Sequence, residues 1–255
     1  MHLKSVTLHP ESYPTHEKYP FSLPIFQQAE SILFTTPITL FVGENGAGKS
    51  TLIKAICQKS GIHIWRDTEK VRYQHNPYEE ALHRYLTLEW TDGRVPGSFF
   101  GSDIFQYFTQ VLDEWAKSDP GQLKYFGGKS LITQSHGQSL MSYFKACYQI
   151  KGLFFLDEPE TALSPKSQLE LLDLFAAMSA AGHAQFIVAT HSPILLACPG
   201  AVIYSFDQAP LAQVQYEDTS HYRIYHEFMA DRGKYIKQGG FGTTAEERRR
   251  LLNHQ

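Results

Sequence analysis

The stretch GENGAGKST, Gly43–Thr51, is the sequence feature that most constrains the fold of this 255-residue chain. It follows ITLFVG, a short apolar run at Ile38–Gly43 that predicts a buried strand. It also opens Gly48–Lys59, where the apolar residues have helical spacing. A glycine-rich turn between a buried strand and a helix is typical of sites that cradle phosphate groups, and this context disfavours the alternative of a chance glycine-rich turn.

The chemistry of this loop suits a nucleoside triphosphate with a magnesium ion. Its glycines let backbone N–H groups turn inward, and the helix N-terminus adds partial positive charge. Lys49 is expected to reach the β- and γ-phosphates, and Ser50 is expected to hold Mg²⁺. The predicted nucleotide-binding residues of the loop are Gly43, Glu44, Asn45, Gly46, Ala47, Gly48, Lys49, Ser50 and Thr51.

Composition excludes several other classes of protein. The formal net charge of −3 gives no general attraction to nucleic acid or membranes, although a local basic patch remains compatible with it. The 3 cysteines are scattered without a Cys-x-x-Cys pair, which disfavours a disulfide framework or a zinc site. No leader-like apolar segment opens the chain and no apolar run is long enough to span a bilayer, so we expect a cytoplasmic protein without membrane insertion.

Strand-like and helix-like segments alternate from Ile38 to Asp207. This order predicts an α/β fold with a mostly parallel sheet flanked by helices. The segment YLTLEWTDGRVPGSFF, Tyr85–Phe100, resembles a hairpin around Asp92-Gly93 and predicts a small antiparallel β insertion. No linker divides residues 1–255, so we expect one domain, with a helical region at about 102–150 and a C-terminal tail at about 223–255.

Two carboxylates end the next buried strand, in LFFLDEPE. Neighbouring residues of a strand point to opposite faces, so Asp157 and Glu158 should have different roles if the strand continues. Ligands bind at the strand ends of open α/β sheets. We therefore expect Asp157 to be the second magnesium contact and Glu158 to be the general base or the group that positions the attacking water. The alternative is an ordinary solvated pair at a strand end.

A third strand end carries a histidine, in IVATHSP. A histidine at that place can hydrogen-bond a γ-phosphate or the attacking water and so sense whether the phosphate is present. A single histidine at a strand end is usually just a polar terminus. Beside the other two motifs, His191 is predicted to be functional.

Together these segments resemble the ATP-binding cassette (ABC) superfamily of P-loop ATPases. GENGAGKST resembles its Walker A motif, LFFLDEPE its Walker B motif with the catalytic glutamate, ATHSP its switch-histidine loop and SHGQS its signature motif. The resemblance implies that two subunits sandwich two ATP molecules head to tail. Ser135, Gly137 and Gln138 would then contact the nucleotide bound to the opposite subunit. Without a partner, SHGQS could be an ordinary polar helix cap.

Within the superfamily, LDEPETALSP and ATHSP resemble soluble ATPases related to the RecF and SMC proteins. YPFSLP and YEDTSHY resemble segments of a small stand-alone bacterial group of such ATPases. The segment of chain between Lys49 and Ser135 has far too few residues for the long coiled coil of an SMC-type protein, and heptads are missing.

Several positions depart from the common cassette pattern. His136 replaces a signature glycine, Gln134 replaces a leucine, and Ser164 stands where many cassettes have an aspartate. For the glutamine loop the chain offers Asp103 or Gln106.

Two aromatic residues could stack on the adenine, Tyr19 and Phe21, because both precede Gly43 at a suitable distance. Each could equally belong to the hydrophobic core.

These observations predict a soluble ABC-type ATPase that hydrolyses ATP with Mg²⁺, dimerises head to tail on binding ATP, and acts on DNA or an effector protein in repair or phage defence. One alternative is the ATPase subunit of a transporter, gripped by its membrane partner near Ser102–Lys117. Another is an ATP-sensing regulator with little turnover. The tail Thr243–Gln255, with three adjacent arginines, could contact DNA or a partner, or be a solvated terminal helix.

Overall fold

The computed structural model describes residues 1–65, 76–119, 121, 123–124, 130–132 and 136–236. The side chains of Asp103, Gln106 and His136 lie outside this description. So do Gln134, Ser135 and the tail Thr243–Gln255, so their predicted roles stay predictions.

The described segments alternate between strands and helices, as the sequence predicted. The strands are β1 Leu3–Leu8, β2 Ser31–Leu33, β3 Ile38–Val42, β4 Leu86–Trp90, β5 Gly97–Gly101, β6 Gly152–Asp157, β7 Ala184–Ala189, β8 Val202–Ser205 and β9 Ala212–Val214. The helices are α1 Pro24–Gln28, α2 Lys49–Ser60, α3 Ser102–Ser118, α4 His136–Cys147, α5 Pro165–Ala180, α6 Pro193–Leu196 and α7 Ser220–Ala230. Short 3₁₀ helices cover Pro10–Ser12, Ala81–Tyr85, Pro159–Ala162, Tyr216–Asp218 and Arg232–Lys234.

The main sheet has six strands in the order β5-β6-β7-β3-β8-β9. All neighbouring pairs are parallel except β8 and β9, which run antiparallel. This arrangement confirms the predicted α/β class with a mostly parallel sheet. It also places the carboxyl ends of β3, β6, β7 and β8 at one edge.

The central strands are buried on both faces, which explains why their sequences are apolar without alternation. In β6, Phe154 and Leu156 pack in one hydrophobic cluster, whereas Leu153 and Phe155 pack in the other. Helix α2 and the small sheet cover the second face, and α3 to α6 cover the first. The main sheet is therefore the middle layer of the fold.

A second sheet has three antiparallel strands in the order β2-β1-β4. Gln185 of β7, which is fully buried, joins the two sheets. Its side-chain oxygen accepts from the backbone N–H groups of His2 and Leu3 at 2.7 and 2.8 Å, and its amide donates to Leu3 O at 2.9 Å. All of these buried polar groups are thereby paired.

The predicted hairpin at Tyr85–Phe100 is wrong in its pairing. Both runs are strands, but β4 pairs with β1, and β5 pairs with β6 in the main sheet. Gly93 does adopt a left-handed turn, with φ of 94°. The chain then continues away from β4 and into the main sheet, where Phe99 and Phe100 of β5 are buried in the two opposite hydrophobic clusters. The antiparallel part is instead the separate three-stranded sheet.

Gly97 gives a test of how β5 joins the main sheet. A Cβ at this position would lie 1.9 Å from Leu153 O, inside the parallel pairing of β5 with β6. We expect Gly97→Ala to lower the free energy of unfolding by about 3 kcal/mol, because the backbone itself must move. Urea denaturation measures this change.

Gly182→Ala is the matched control. Nothing lies within 4 Å of a Cβ there, so only the left-handed φ of 73° is costly. The expected loss is about 1 kcal/mol. Equal losses for the two variants would contradict the described packing of β5 on β6.

Candidate functional site

Four strand ends meet at one edge of the main sheet. The pairings Phe41↔Ala189, Asp157↔Ala189 and Val42↔Ser205 bring the ends of β3, β6, β7 and β8 side by side. The segments that follow them carry the predicted phosphate loop, Glu158 and His191. The edge is where a parallel α/β sheet binds ligands.

The phosphate loop depends on glycine at two tight places. Gly43 has φ of 148°, and a Cβ there would lie 2.9 Å from Phe206 Cβ. Gly48 has φ of 105°, and a Cβ there would lie 2.9 Å from the ring of Phe26. The backbone N–H of Glu44 donates to Asp207 Oδ1 at 3.0 Å, which anchors the loop to the end of β8.

The remaining loop residues lie where the motif predicts them. Gly46 has φ of 82° and open space around it, and the N–H of Ala47 donates to Glu44 O at 3.2 Å. Asn45 is exposed beside them. This open turn ends in helix α2, which begins at Lys49, so the N–H groups of its first turn lie next to the loop.

Lys49 is buried at the start of α2, with 4% of its surface exposed. Its Nζ donates to Gly43 O at 2.6 Å and to Glu44 O at 3.0 Å. Burial lowers the pKa of the ammonium below its ordinary value, and the carboxylates of Glu158 and Asp157 oppose that shift. The lysine is therefore a desolvated cation inside the phosphate loop, with carbonyl partners that a phosphate could replace.

The two predicted magnesium ligands lie against each other. Ser50 Oγ donates to Asp157 Oδ1 at 2.7 Å, and Lys54 Nζ lies 3.6 Å from Asp157 Oδ2. A hydroxyl and a carboxylate oxygen at this spacing fit two positions of an octahedral Mg²⁺ shell, with waters and phosphate oxygens filling the others. The residues present therefore fit the ion.

Glu158 follows the strand in a strained conformation. Its φ of 50° and ψ of 54° are left-handed, and it is the one described non-glycine residue with positive φ. Such a conformation costs about 1–2 kcal/mol and is common at functional sites. The strand ends at Asp157, so the condition for strand alternation, that the strand continues through Glu158, is not met. The sharp turn at Glu158 separates the two carboxylates instead.

His191 faces Glu158 across the site. Its Nε2 lies 3.5 Å from Glu158 Oε1, and its Nδ1 lies 2.9 Å from His221 Nε2. Burial and then the nearby Lys49 ammonium lower the pKa of His191, while Glu158 acts in the opposite direction. The structure thus brings together Lys49, Asp157, Glu158 and His191, as the motifs predicted.

Sequence reasoning missed Glu160, the second glutamate of LDEPE. Its Oε1 accepts from the backbone N–H of His191 at 2.5 Å, which ties the switch loop to the segment after β6. Burial raises the pKa of this carboxyl. An acid two residues beyond Glu158 was visible in the sequence, but no local signal linked it to His191.

The two aromatic candidates for adenine stacking differ in their exposure. Phe21 is fully buried and packs edge-on against Tyr85, so it belongs to the core and cannot meet a ligand. Tyr19 is 40% exposed, and its hydroxyl hydrogen-bonds Thr51 Oγ1 at the first turn of α2. Tyr19 alone of the two remains suited to the role.

The described part of the signature segment lies at the start of α4. Gly137 packs against the loop that follows β6, and a Cβ there would lie 3.5 Å from Ala162 O, an ordinary contact distance. Gln138 is exposed beside it. Ser164, which stands where many cassettes have an aspartate, caps helix α5: its side chain accepts from Ser167 N at 3.2 Å.

Comparison with protein families gives two partial matches. A family described as "AAA domain, putative AbiEii toxin, Type IV TA system" matches residues 137–197. A second, described as "AAA domain", matches residues 22–58. The first segment contains Gly137 and Gln138 of the signature, LDEPE and ATHSP. The second contains the phosphate loop. No curated protein matches the chain at a significant level.

Solved structures match over most of the chain. An inward-facing metal-chelate type ABC transporter shares 18% identity over 88% of this chain and 89% of that chain, with a TM-score of 0.51. The ADP conformation of MJ1267, an ATP-binding cassette of an ABC transporter, shares 14% identity over 89% and 99%, with a TM-score of 0.52. The SMC head domain from Thermotoga maritima shares 17% identity over 84% and 99%, with a TM-score of 0.41.

The chain therefore has the fold and the sequence motifs of an ABC-type P-loop ATPase, as the resemblance implied. Within the described residues, no helix combines the length and apolar character needed to cross a bilayer.

Lys49 gives the most direct test of the phosphate loop. We expect Lys49→Met to weaken ATP binding at least tenfold, because a charge-assisted contact to phosphate is worth about 1.5–3 kcal/mol. Titration calorimetry with ATP measures the change.

Lys59→Met near the end of α2 is the matched control and should bind ATP like the parent chain. Unchanged affinity in Lys49→Met would show that Gly43–Thr51 is not a phosphate site.

Proposed function

We propose that this chain binds ATP at the strand edge and hydrolyses it with Mg²⁺. The observation that carries the proposal is the convergence of the buried Lys49, the Ser50–Asp157 pair, Glu158 and His191 at four adjacent strand ends. Phosphoryl transfer to water needs little covalent chemistry from a protein. It needs charge stabilisation and a positioned water, and these groups supply both.

Each residue would have a distinct role. Loop N–H groups and Lys49 would hold the β- and γ-phosphates, with Nζ exchanging the carbonyls of Gly43 and Glu44 for phosphate oxygens. Ser50 and Asp157 would hold Mg²⁺, which neutralises charge on the phosphate oxygens. Glu158 would accept a proton from the attacking water, held at the required angle by its left-handed backbone. His191 would contact the γ-phosphate or that water.

The adenine would stack on Tyr19. The ring is exposed, and its hydroxyl is already held at the first turn of α2 through Thr51. An aromatic face at this place gives a binding surface for any flat base. Such a stacking surface accepts adenine and guanine alike, and the ABC-type fold favours ATP.

The signature segment supports an ATP-dependent head-to-tail homodimer. Gly137 and Gln138 begin α4, and Gly137 lies beside Ala162 after β6. A helix N-terminus with an exposed polar residue and a small residue suits close approach to a phosphate. Ser135, Gly137 and Gln138 would thus complete the nucleotide site of the partner copy, and closure would couple ATP binding to an external task.

The task itself is proposed by class. A cycle of closing and opening would act on DNA or on an effector protein, in repair or phage defence. The matched family description that names a toxin of a type IV toxin–antitoxin system supports an effector in defence. The cytoplasm is the compartment that fits an ATP-driven cycle and free thiols.

Glu158→Gln tests the hydrolytic part of this proposal. The amide keeps the size of the side chain but cannot accept the proton, so we expect ATP turnover to fall about 10²–10⁴-fold with ATP binding retained. A phosphate-release assay and ATP titration measure the two quantities.

Glu170→Gln, on the exposed face of α5, should retain parental turnover. If Glu158→Gln hydrolysed ATP as fast as the parent, Glu158 would not be the base.

A further inference from the structure

Two imidazole rings are in direct contact beside the strand edge. His191 Nδ1 lies 2.9 Å from His221 Nε2, and the ring centroids are 5.1 Å apart. His221 stands in the first turn of α7, within the segment YEDTSHY, to which the motifs above gave no chemical role. Two neutral imidazoles can hydrogen-bond only if one donates and the other accepts.

The neighbours of His221 decide which ring donates. Ser220 Oγ donates its single proton to Asp207 Oδ2 at 3.1 Å. It lies 3.3 Å from His221 Nδ1, so toward that nitrogen it can act only as an acceptor. This arrangement favours a His221 that carries its proton at Nδ1 and accepts at Nε2, with His191 donating from Nδ1.

Asp207 fixes the direction of this series of hydrogen bonds. Asp207 Oδ1 accepts from the backbone N–H of Glu44 at 3.0 Å, so the carboxylate is acceptor-only on both sides. The chain of hydrogen bonds thus runs from His191 through His221 and Ser220 to Asp207, and it ends on the phosphate loop. One network holds the loop and orients the histidine.

The start of α7 is held firmly enough to keep His221 in place. Thr219 is 3% exposed and caps the helix, with its Oγ1 accepting from Tyr222 N at 3.1 Å. The same hydroxyl donates to Tyr216 O at 2.7 Å. Because the Thr219 hydroxyl both donates and accepts, the first turn of α7 is fixed and His221 has little freedom.

We propose that His221 is a positioning residue that keeps His191 protonated at Nδ1 and aims its Nε2 at Glu158. In the neutral ring Nε2 is then an acceptor, so it makes no hydrogen bond to the Glu158 carboxylate 3.5 Å away. It can donate to that carboxylate or to a phosphate only when His191 is an imidazolium. The expected effect on catalysis rests on the proposed ATP hydrolysis. The tautomer of His191, in contrast, is a property of the free protein.

His221→Phe tests the consequence, because it keeps the ring and removes the acceptor. We expect the kcat of ATP hydrolysis to fall roughly tenfold to hundredfold, as for loss of a partner that orients a functional histidine, with KM changed less than about twofold. His221→Gln, whose amide oxygen can accept near the place of Nε2, should restore a large part of kcat.

His226→Phe is the matched control. It makes the same substitution on the same helix, where His226 stacks on Tyr222. It should retain parental kcat, and all three variants should keep the parental melting temperature. Equal kcat in His221→Phe and the parent would contradict the positioning role, as would a Gln variant no better than Phe.

A second measurement does not depend on turnover. In protein labelled with ¹⁵N-histidine, we expect His191 to show a protonated Nδ1 and a scalar coupling to His221 Nε2 across the hydrogen bond. Substitution of His221 by Phe should abolish the coupling and shift His191 toward the Nε2–H form.

These spectra separate the two proposals. A parent chain that shows the coupling but hydrolyses no ATP would remove the proposed function and leave the tautomer assignment standing. A His191 ring protonated at Nε2 in the parent, and unchanged in His221→Phe, would overturn the assignment whatever the turnover.

Discussion

The parallel alignment of β3, β6, β7 and β8 is the constraint on which the candidate site depends. Because the strands run in the same direction, their carboxyl ends lie at one edge, and the segments that follow them share one space. The strands themselves are buried on both faces and leave no room for register changes. Each polar residue at the edge is therefore placed by a rigid apolar strand behind it.

Charge balance is the second requirement at this edge. Lys49 is buried and desolvated, and the acidic groups around it, among them Asp157, Glu158 and Asp207, keep that cation tolerable. Its ammonium donates to the carbonyl oxygens of Gly43 and Glu44 inside the loop. A negatively charged triphosphate would replace these neutral partners with charged ones, which gives the loop a physical reason to favour such a ligand.

What the sequence could predict was local. The glycine-rich loop, the apolar strands and the polar residues just after them are contiguous in the chain, so their placement at one edge followed from the parallel sheet alone. The pairing of β4 and β5 is not local. An Asp-Gly turn between two β-type runs looks the same whether the strands pair with each other or with β1 and β6.

The rest of the site depended on tertiary contacts. Glu160, Asp207 and His221 reach His191 or the phosphate loop from separate segments, and nothing near them in the sequence marks those contacts. Phe21 and Tyr19 lie two positions apart with similar composition around them, yet one is core and the other exposed. Side-chain burial at that spacing is decided by packing and not by local pattern.

In the proposed function, ATP is bound at this edge and enclosed between two copies of the chain. The measurement that tests it most directly is the solution mass of the Glu158→Gln variant by light scattering, with and without Mg-ATP. We expect the 29.0 kDa chain to double in mass only with ATP. Adding Gly137→Ala, whose Cβ is tolerated within the chain at 3.5 Å from Ala162 O, should prevent the doubling. A mass that stays at one chain while ATP is bound would contradict the account.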